Sequence, residues 1–158
     1  MEENAPAPKN ESSVINLFKH SMEILALIYL AGALFFFFIP DGVNYILNFL
    51  PIFFKVLQPL PEKNTDFFWL PLVASLMFVL AYIAYKSSRD PDNKTLINIH
   101  IASKFISSMG YLYLFLLHAF IFGYLVGGIL DLIICGYVLL LKFKVQRLGK
   151  EETPQLNL

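Results

Sequence analysis

The sequence has few cysteines, few tryptophans and little charge. It contains 1 cysteine and 1 tryptophan in 158 residues, and only 15% of its residues are charged. The lone Cys135 cannot form an intrachain disulfide and has no neighbouring cysteine or histidine at a zinc-ligand spacing. Lys and Arg together number 12, as do Asp and Glu, so the net charge is zero and does not favour a nucleic-acid partner.

Short motifs of soluble enzymes are also absent from the sequence. It has no phosphate-binding glycine loop, no HExxH, no nucleophile elbow and no CxxC pair. No catalytic residue and no metal ligand can therefore be assigned, and we predict a protein that is not an enzyme.

Apolar and aromatic side chains dominate the composition instead. Hydrophobic residues make up 57% of the chain and aromatic residues 16%, with a mean hydropathy of +0.61. A soluble fold of this size could not cover so much apolar surface. We therefore predict an all-α, integral membrane protein with four transmembrane helices in a bundle.

Four apolar stretches are long enough to cross a bilayer, at about 14–39, 67–85, 91–122 and 125–143. Residues 1–12 are polar and predict a disordered tail, and 144–158 predict a second polar tail. The third stretch is expected to begin at Asp90 and Pro91 and to run for ~48 Å, beyond a hydrocarbon core of ~30 Å.

The segment 43–60 lies between the first two spans and is apolar enough to resemble a fifth. However, Pro51 interrupts it, and Asn44, Asn48 and Lys55 fall near one helical face. This pattern predicts one or two amphipathic helices at the membrane interface, or a re-entrant segment.

The basic residues predict the topology. Four spans with both termini in the cytoplasm place ten Lys and Arg residues on the inner side and two, Lys55 and Lys63, on the outer side. The ten are Lys9, Lys19, Lys86, Arg89, Lys94, Lys104, Lys142, Lys144, Arg147 and Lys150. We expect a multi-pass protein of the plasma membrane or a bacterial inner membrane.

Polar residues recur along the third span at helical spacing, which places them on one stripe that should avoid lipid. They are His100, Lys104, Ser107, Tyr111 and His118.

Depth along the helices predicts two polar pairs. Glu23 and Lys104 lie at similar depths in the first and third spans. A tight turn at Gly123 and Tyr124 would bring His118 opposite Asp131. Such pairs can fix helix register or serve as relay points for a proton.

The histidines leave open whether the protein binds a cofactor. His20 and His100 lie at similar depth, as the two axial ligands of a haem must, and His118 could bind a pigment as a single ligand. A quinone site beside the aromatic surface is a further alternative.

Small residues predict where helix backbones approach each other. Ala26 and Ala33 lie seven residues apart on the first span, and Gly127 and Gly128 lie on the fourth.

Three functions remain open from the sequence. The first is a small accessory or scaffold subunit that packs against other integral membrane subunits and lipid. The second is a bundle that translocates protons or a small solute through its His/Asp and Glu/Lys pairs. The third is a haem-, pigment- or quinone-binding membrane subunit.

Overall fold

A computed structural model describes residues 9–55, 57–60, 69–117 and 120–151. These residues form five helices: α1 (Lys9–Phe38), α2 (Pro40–Phe54), α3 (Trp69–Arg89), α4 (Lys94–Leu117) and α5 (Phe122–Glu151). Apart from one isolated β-bridge, the described part of the chain contains no β-structure.

Four of the helices contain stretches that are long and apolar enough to cross a membrane. These stretches are Ser13–Phe38, Leu70–Arg89, Lys94–Leu117 and Phe122–Arg147. The predicted all-α bundle with four candidate spans is therefore confirmed. The predicted tails fall mainly outside the described residues, although α1 already begins at Lys9.

The predicted start of the third span at Asp90 is wrong. The Asp90 N–H donates to the Lys86 carbonyl and closes α3, and the chain turns through Pro91 before α4 begins. Asn93 provides the N-cap, because its Oδ1 accepts from the Leu96 N–H at 3.3 Å. With 24 residues, α4 is ~36 Å long, so it does not project far beyond a bilayer.

The predicted turn at Gly123 and Tyr124 is also wrong, because both residues already belong to α5. The connection from α4 to α5 lies between Leu117 and Phe122. Moving the turn towards the N-terminus changes which residues of the two helices face each other, and this decides the polar pairing described below.

The helices pack as two close pairs, α1 with α3 and α4 with α5. Smaller contacts of α3 with α4 and of α1 with α5 join the pairs into a four-helix bundle. We call the end that carries α2 and the α4–α5 turn the α2 end. The opposite end, with the 90–93 turn and the C-terminus of α5, is the basic end.

Small side chains allow α1 and α3 to approach closely. Ala26 and Ala33 of α1 are buried, as are Ala74, Ala81 and Ala84 of α3. At Gly32, an added Cβ would overlap the Met77 Cε. The predicted close packing at Ala26 and Ala33 is confirmed.

Close approach likewise marks the α4–α5 pair. An added Cβ at Gly127 would lie 3.2 Å from the Tyr111 ring, and one at Gly128 would lie 3.0 Å from the Leu112 side chain. The prediction for the two glycines is confirmed.

The α2 helix lies against α1 and α5 at the α2 end. It ends at Lys55, a left-handed C-cap whose N–H donates to the Pro51 carbonyl at 2.9 Å. Asn48 then holds the following segment, because its Nδ2 donates to the Leu60 carbonyl (2.7 Å) and its Oδ1 accepts from the Leu60 N–H (2.6 Å).

A parallel β-bridge between Gln58 and Ile121 connects the same segment to the α4–α5 turn. The Gln58 N–H donates to the Phe120 carbonyl at 3.1 Å, and the Phe122 N–H donates to the Gln58 carbonyl at 3.0 Å. The α2 end is thus fastened by backbone hydrogen bonds.

Candidate functional site

A group of polar side chains lies inside the bundle where the two helix pairs meet. It consists of Tyr29 from α1, His100, Lys104 and Ser108 from α4, and Asp131 from α5. We call these five residues the polar seam.

The centre of the seam is an ion pair. The Lys104 Nζ donates to the Asp131 Oδ1 at 2.7 Å, and the two side chains are only 11% and 13% exposed. The same Nζ lies 4.8 Å from the centroid of the Tyr29 ring, which is cation–π geometry. Lys104 is ~15 Å from the start of α4 and ~20 Å from its end, so the pair lies near the middle of this helix.

Tyr29 extends the seam to His100. The Tyr29 hydroxyl and the His100 Nε2 are hydrogen-bonded at 3.0 Å, with donor and acceptor set by the histidine tautomer. His100 is fully buried, and its Nδ1 has no hydrogen-bond partner among the described residues.

Helical spacing brings the α4 members together. His100, Lys104 and Ser108 are four residues apart and share the buried face of α4 with Ile97. The Ser108 Oγ donates to the Gly128 carbonyl at 2.7 Å, which requires the backbone of α5 to be close. Most of α4 outside this face is apolar, so the stripe separates protein-facing from outward-facing sides.

The predicted Glu23–Lys104 pair is wrong. Lys104 is paired with Asp131, and Glu23 instead lies 3.8 Å from Arg89 on α3. That second pair is largely exposed and contributes little to stability. His118 lies outside the described residues, so the predicted His118–Asp131 pair stays a prediction; in the part of the chain that is described, Asp131 is bonded to Lys104.

Ser107 and Tyr111 belong to the predicted stripe but not to the seam. Ser107 is only half-buried, and its neighbour Ser108 makes the interhelical hydrogen bond. Tyr111 packs over Gly127 and stacks on Tyr124 with ring centroids 6.4 Å apart, nearer the α2 end.

The structure does not bring the two haem-ligand candidates together. His20 lies on an exposed face of α1, whereas His100 is enclosed and bonded to Tyr29. Within the described ranges, no group of three or more His, Cys, Asp or Glu side chains could hold a metal ion.

Sequence reasoning missed two contacts between α1 and the α4–α5 helix pair. Tyr29 lies within an uninterrupted apolar run, and nothing there marks its hydroxyl as a partner for His100. The Ser21 and Tyr137 hydroxyls are also hydrogen-bonded, at 2.7 Å, and connect α1 to α5. A search for every hydroxyl of α1 at the depth of a polar residue on another span would have proposed both.

The polar seam can hold the helices together and offset the charge of Lys104. A lone charge in a span costs ~2.5–3.5 kcal/mol on insertion scales, and pairing removes much of that cost. Because lipid gives apolar helices little reason to associate, polar contacts determine which faces meet. The Lys104–Asp131 ion pair and the Tyr29–His100 hydrogen bond meet at the Tyr29 ring, whose face the Lys104 Nζ contacts.

Comparisons of this chain with protein-family models, with curated proteins and with solved structures find no match.

Proposed function

We propose that this chain is a small, non-enzymatic accessory or scaffold subunit of a larger membrane protein complex. In this proposal α1, α3, α4 and α5 cross the membrane with both termini in the cytoplasm, and the α2 end lies at the outer face of a plasma or bacterial inner membrane. With the mid-helix Lys104 left out, the distribution of basic residues, nine against two, supports that orientation.

The observation that carries the proposal is the orientation of α2. Its asparagines, Asn44 and Asn48, are buried against the bundle, whereas Tyr45, Phe49 and Phe53 are 80%, 65% and 70% exposed. These three aromatic residues are four apart, so they form one stripe along the helix. We call this stripe the aromatic face of α2.

The aromatic face is suited to binding a helix of another membrane protein. The Phe49 and Phe53 rings are already stacked, with centroids 6.3 Å apart, so few side-chain rotamers need to be fixed on binding. Asn48 holds the helix to the segment that follows, which keeps the face in one orientation. With 15 residues, α2 is ~22 Å long and too short to span, so it fits an interfacial position.

Purification in mild detergent from the native membrane, at endogenous expression level, tests the proposal. We expect a stoichiometric integral membrane partner to co-purify with the wild-type chain and to be lost from the triple variant Y45A/F49A/F53A. A matched control replaces three equally exposed apolar residues of the spans: I106A/L116A/I133A.

The control variant should retain the partner, because its residues lie on other faces. A monodisperse wild-type chain without a partner would contradict the proposal. Equal loss of the partner from both triple variants would show that general apolar contact, rather than the aromatic face, holds the complex.

The polar seam favours a second candidate function, the translocation of protons or a small solute. Its specific support is a buried ion pair near the middle of α4, whose Lys104 Nζ lies against the ring of Tyr29, the residue that is hydrogen-bonded to His100. Ionisable residues at that depth commonly belong to proton pathways. Asp131→Asn should then abolish proton flux in reconstituted vesicles, whereas Glu23→Gln, outside the seam, should not.

Unaltered flux in a folded Asp131→Asn protein would exclude this second function. Helical content and elution volume serve as the folding control for both variants.

A further inference from the structure

A small cleft opens at the basic end, between the 90–93 turn and the last turns of α5. It has a volume of about 230 Å³. Its lining includes Asp92, Lys94, Ile97, Lys142, Val145 and Gln146. The cleft is separate from the polar seam and from the aromatic face of α2.

Two lysines from neighbouring helices line this cleft. Lys94 begins α4, and Lys142 lies on α5, where its Nζ donates to the Asn98 Oδ1 at 2.7 Å. That bond uses one of the three donors of the ammonium group, which leaves two donors for a ligand. Gln146 adds a side-chain amide, and Asp92 is the one acidic residue of the lining.

The floor of the cleft is apolar. Ile97 is almost fully buried, and Val145 packs against the same core. A ligand with a charged group at the rim and an apolar portion below therefore suits the lining better than a fully polar solute.

The cleft also lies at the depth of lipid headgroups if the four candidate helices span. The apolar stretch of α4 begins at Lys94, and that of α5 ends at Arg147. Other cations of this end have contacts elsewhere: Lys86 lies over the Tyr82 ring and Arg89 over the Tyr85 ring.

We propose that this cleft binds the phosphate group of an anionic phospholipid between Lys94 and Lys142. Basic pockets between membrane helices on the cytoplasmic side are known to hold such headgroups. The ammonium groups act as point charges towards the phosphate oxygens, and Gln146 donates a further hydrogen bond. The ligand is a lipid of the surrounding leaflet, so the site rests on the proposed membrane crossing but not on the proposed accessory role.

Native mass spectrometry of the full chain, released from detergent, tests this site. Dioleoylphosphatidylglycerol is titrated against dioleoylphosphatidylcholine, with inorganic phosphate as a competitor. The test variant is K94Q/K142Q. The matched control is K86Q/K144Q, which removes the same charge from the same end without touching the cleft.

The wild-type chain should retain phosphatidylglycerol in preference to phosphatidylcholine. K94Q/K142Q should bind phosphatidylglycerol at least about tenfold more weakly, because it removes two direct charged contacts to the phosphate, whereas the control keeps those contacts and should bind within about twofold of the wild type. Asp92→Asn should strengthen binding, because it removes a negative charge beside the phosphate. K94R/K142R keeps the charge and should keep the lipid, which separates a lost site from a lost fold.

Three results would overturn the proposal. Equally weakened binding of phosphatidylglycerol in the test and control variants would indicate that the overall charge of this end, and not a specific site, attracts the lipid. Equal retention of both lipids would show that the phosphate is not selected by charge. Displacement of the lipid by inorganic phosphate at equal concentration would assign the cleft to a free anion.

Discussion

The Lys104–Asp131 ion pair gives the sharpest test of how the bundle is held together. At 2.7 Å and an effective dielectric constant of about 20, the two charges attract by ~6 kcal/mol before desolvation is subtracted. Removal of one partner leaves the other buried and unpaired, so we expect Lys104→Met or Asp131→Leu alone to lower the free energy of unfolding by ~3–5 kcal/mol. The double replacement leaves no uncompensated charge and should lie within ~1 kcal/mol of the wild type.

Equilibrium unfolding in mixed micelles, with increasing fractions of a denaturing detergent, measures these differences. Far-ultraviolet circular dichroism follows the helices. The signature of the buried pair is strong non-additivity: the double variant must be more stable than either single variant. If the two single effects simply add in the double variant, the side chains do not act as a pair and the polar seam does not fix the bundle.

Two further predictions concern packing and the α2 end. Gly128→Val should destabilise the protein by ~1–3 kcal/mol in the same unfolding assay, because its Cβ would lie 3.0 Å from an α4 leucine side chain. Gly136→Val is the control: a Cβ there meets nothing within 4 Å, and a normal stability for Gly128→Val would contradict the close approach of α4 and α5. Asn48→Ala leaves the backbone polar groups of Leu60 without their partner, so we expect a loss of ~1–3 kcal/mol and faster hydrogen exchange at the Leu60 amide. Gln58→Ala should leave that exchange unchanged, because Gln58 contributes through its backbone; equally fast exchange in both variants would show that Asn48 is not the tether.

The sequence was sufficient for the helical architecture because apolar runs of bilayer length are a strong and local signal. Hydropathy alone located the four candidate spans, and the small residues Ala26 and Ala33 correctly indicated a close helix contact. Both inferences need only the composition of one segment.

The Glu23–Lys104 prediction failed because the depth of a residue in α4, and its partner across the α4–α5 hairpin, depend on where the turn lies. Residues 117–122 are almost entirely apolar and carry no glycine or proline, whereas Gly123 offers an apparent turn signal. When the centre of a helical hairpin moves by one residue, the residue that faces a given position on the other helix changes by two. The predicted register therefore could not place Lys104 opposite Asp131, which it contacts in the structure.

The orientation of α2 could not be predicted for a different reason. Its pattern shows a polar and an apolar side, but periodicity does not say which side meets protein. In water the apolar side would turn inwards. Here Asn48 turns inwards because it satisfies the Leu60 backbone, and the aromatic residues turn outwards.

With the proposed membrane crossing, the ion pair between neighbouring helices also constrains biosynthesis. Lys104 is translated 27 residues before Asp131, so α4 leaves the ribosome with a cation that has no counterion yet. Delivered alone to the bilayer centre, that helix would carry an insertion cost of ~2.5–3.5 kcal/mol, whereas α4 and α5 entering as one hairpin carry a neutral pair. The last two helices are therefore expected to leave the translocon laterally as a unit, and a ribosome stalled before α5 should leave α4 accessible to reagents in the aqueous pore.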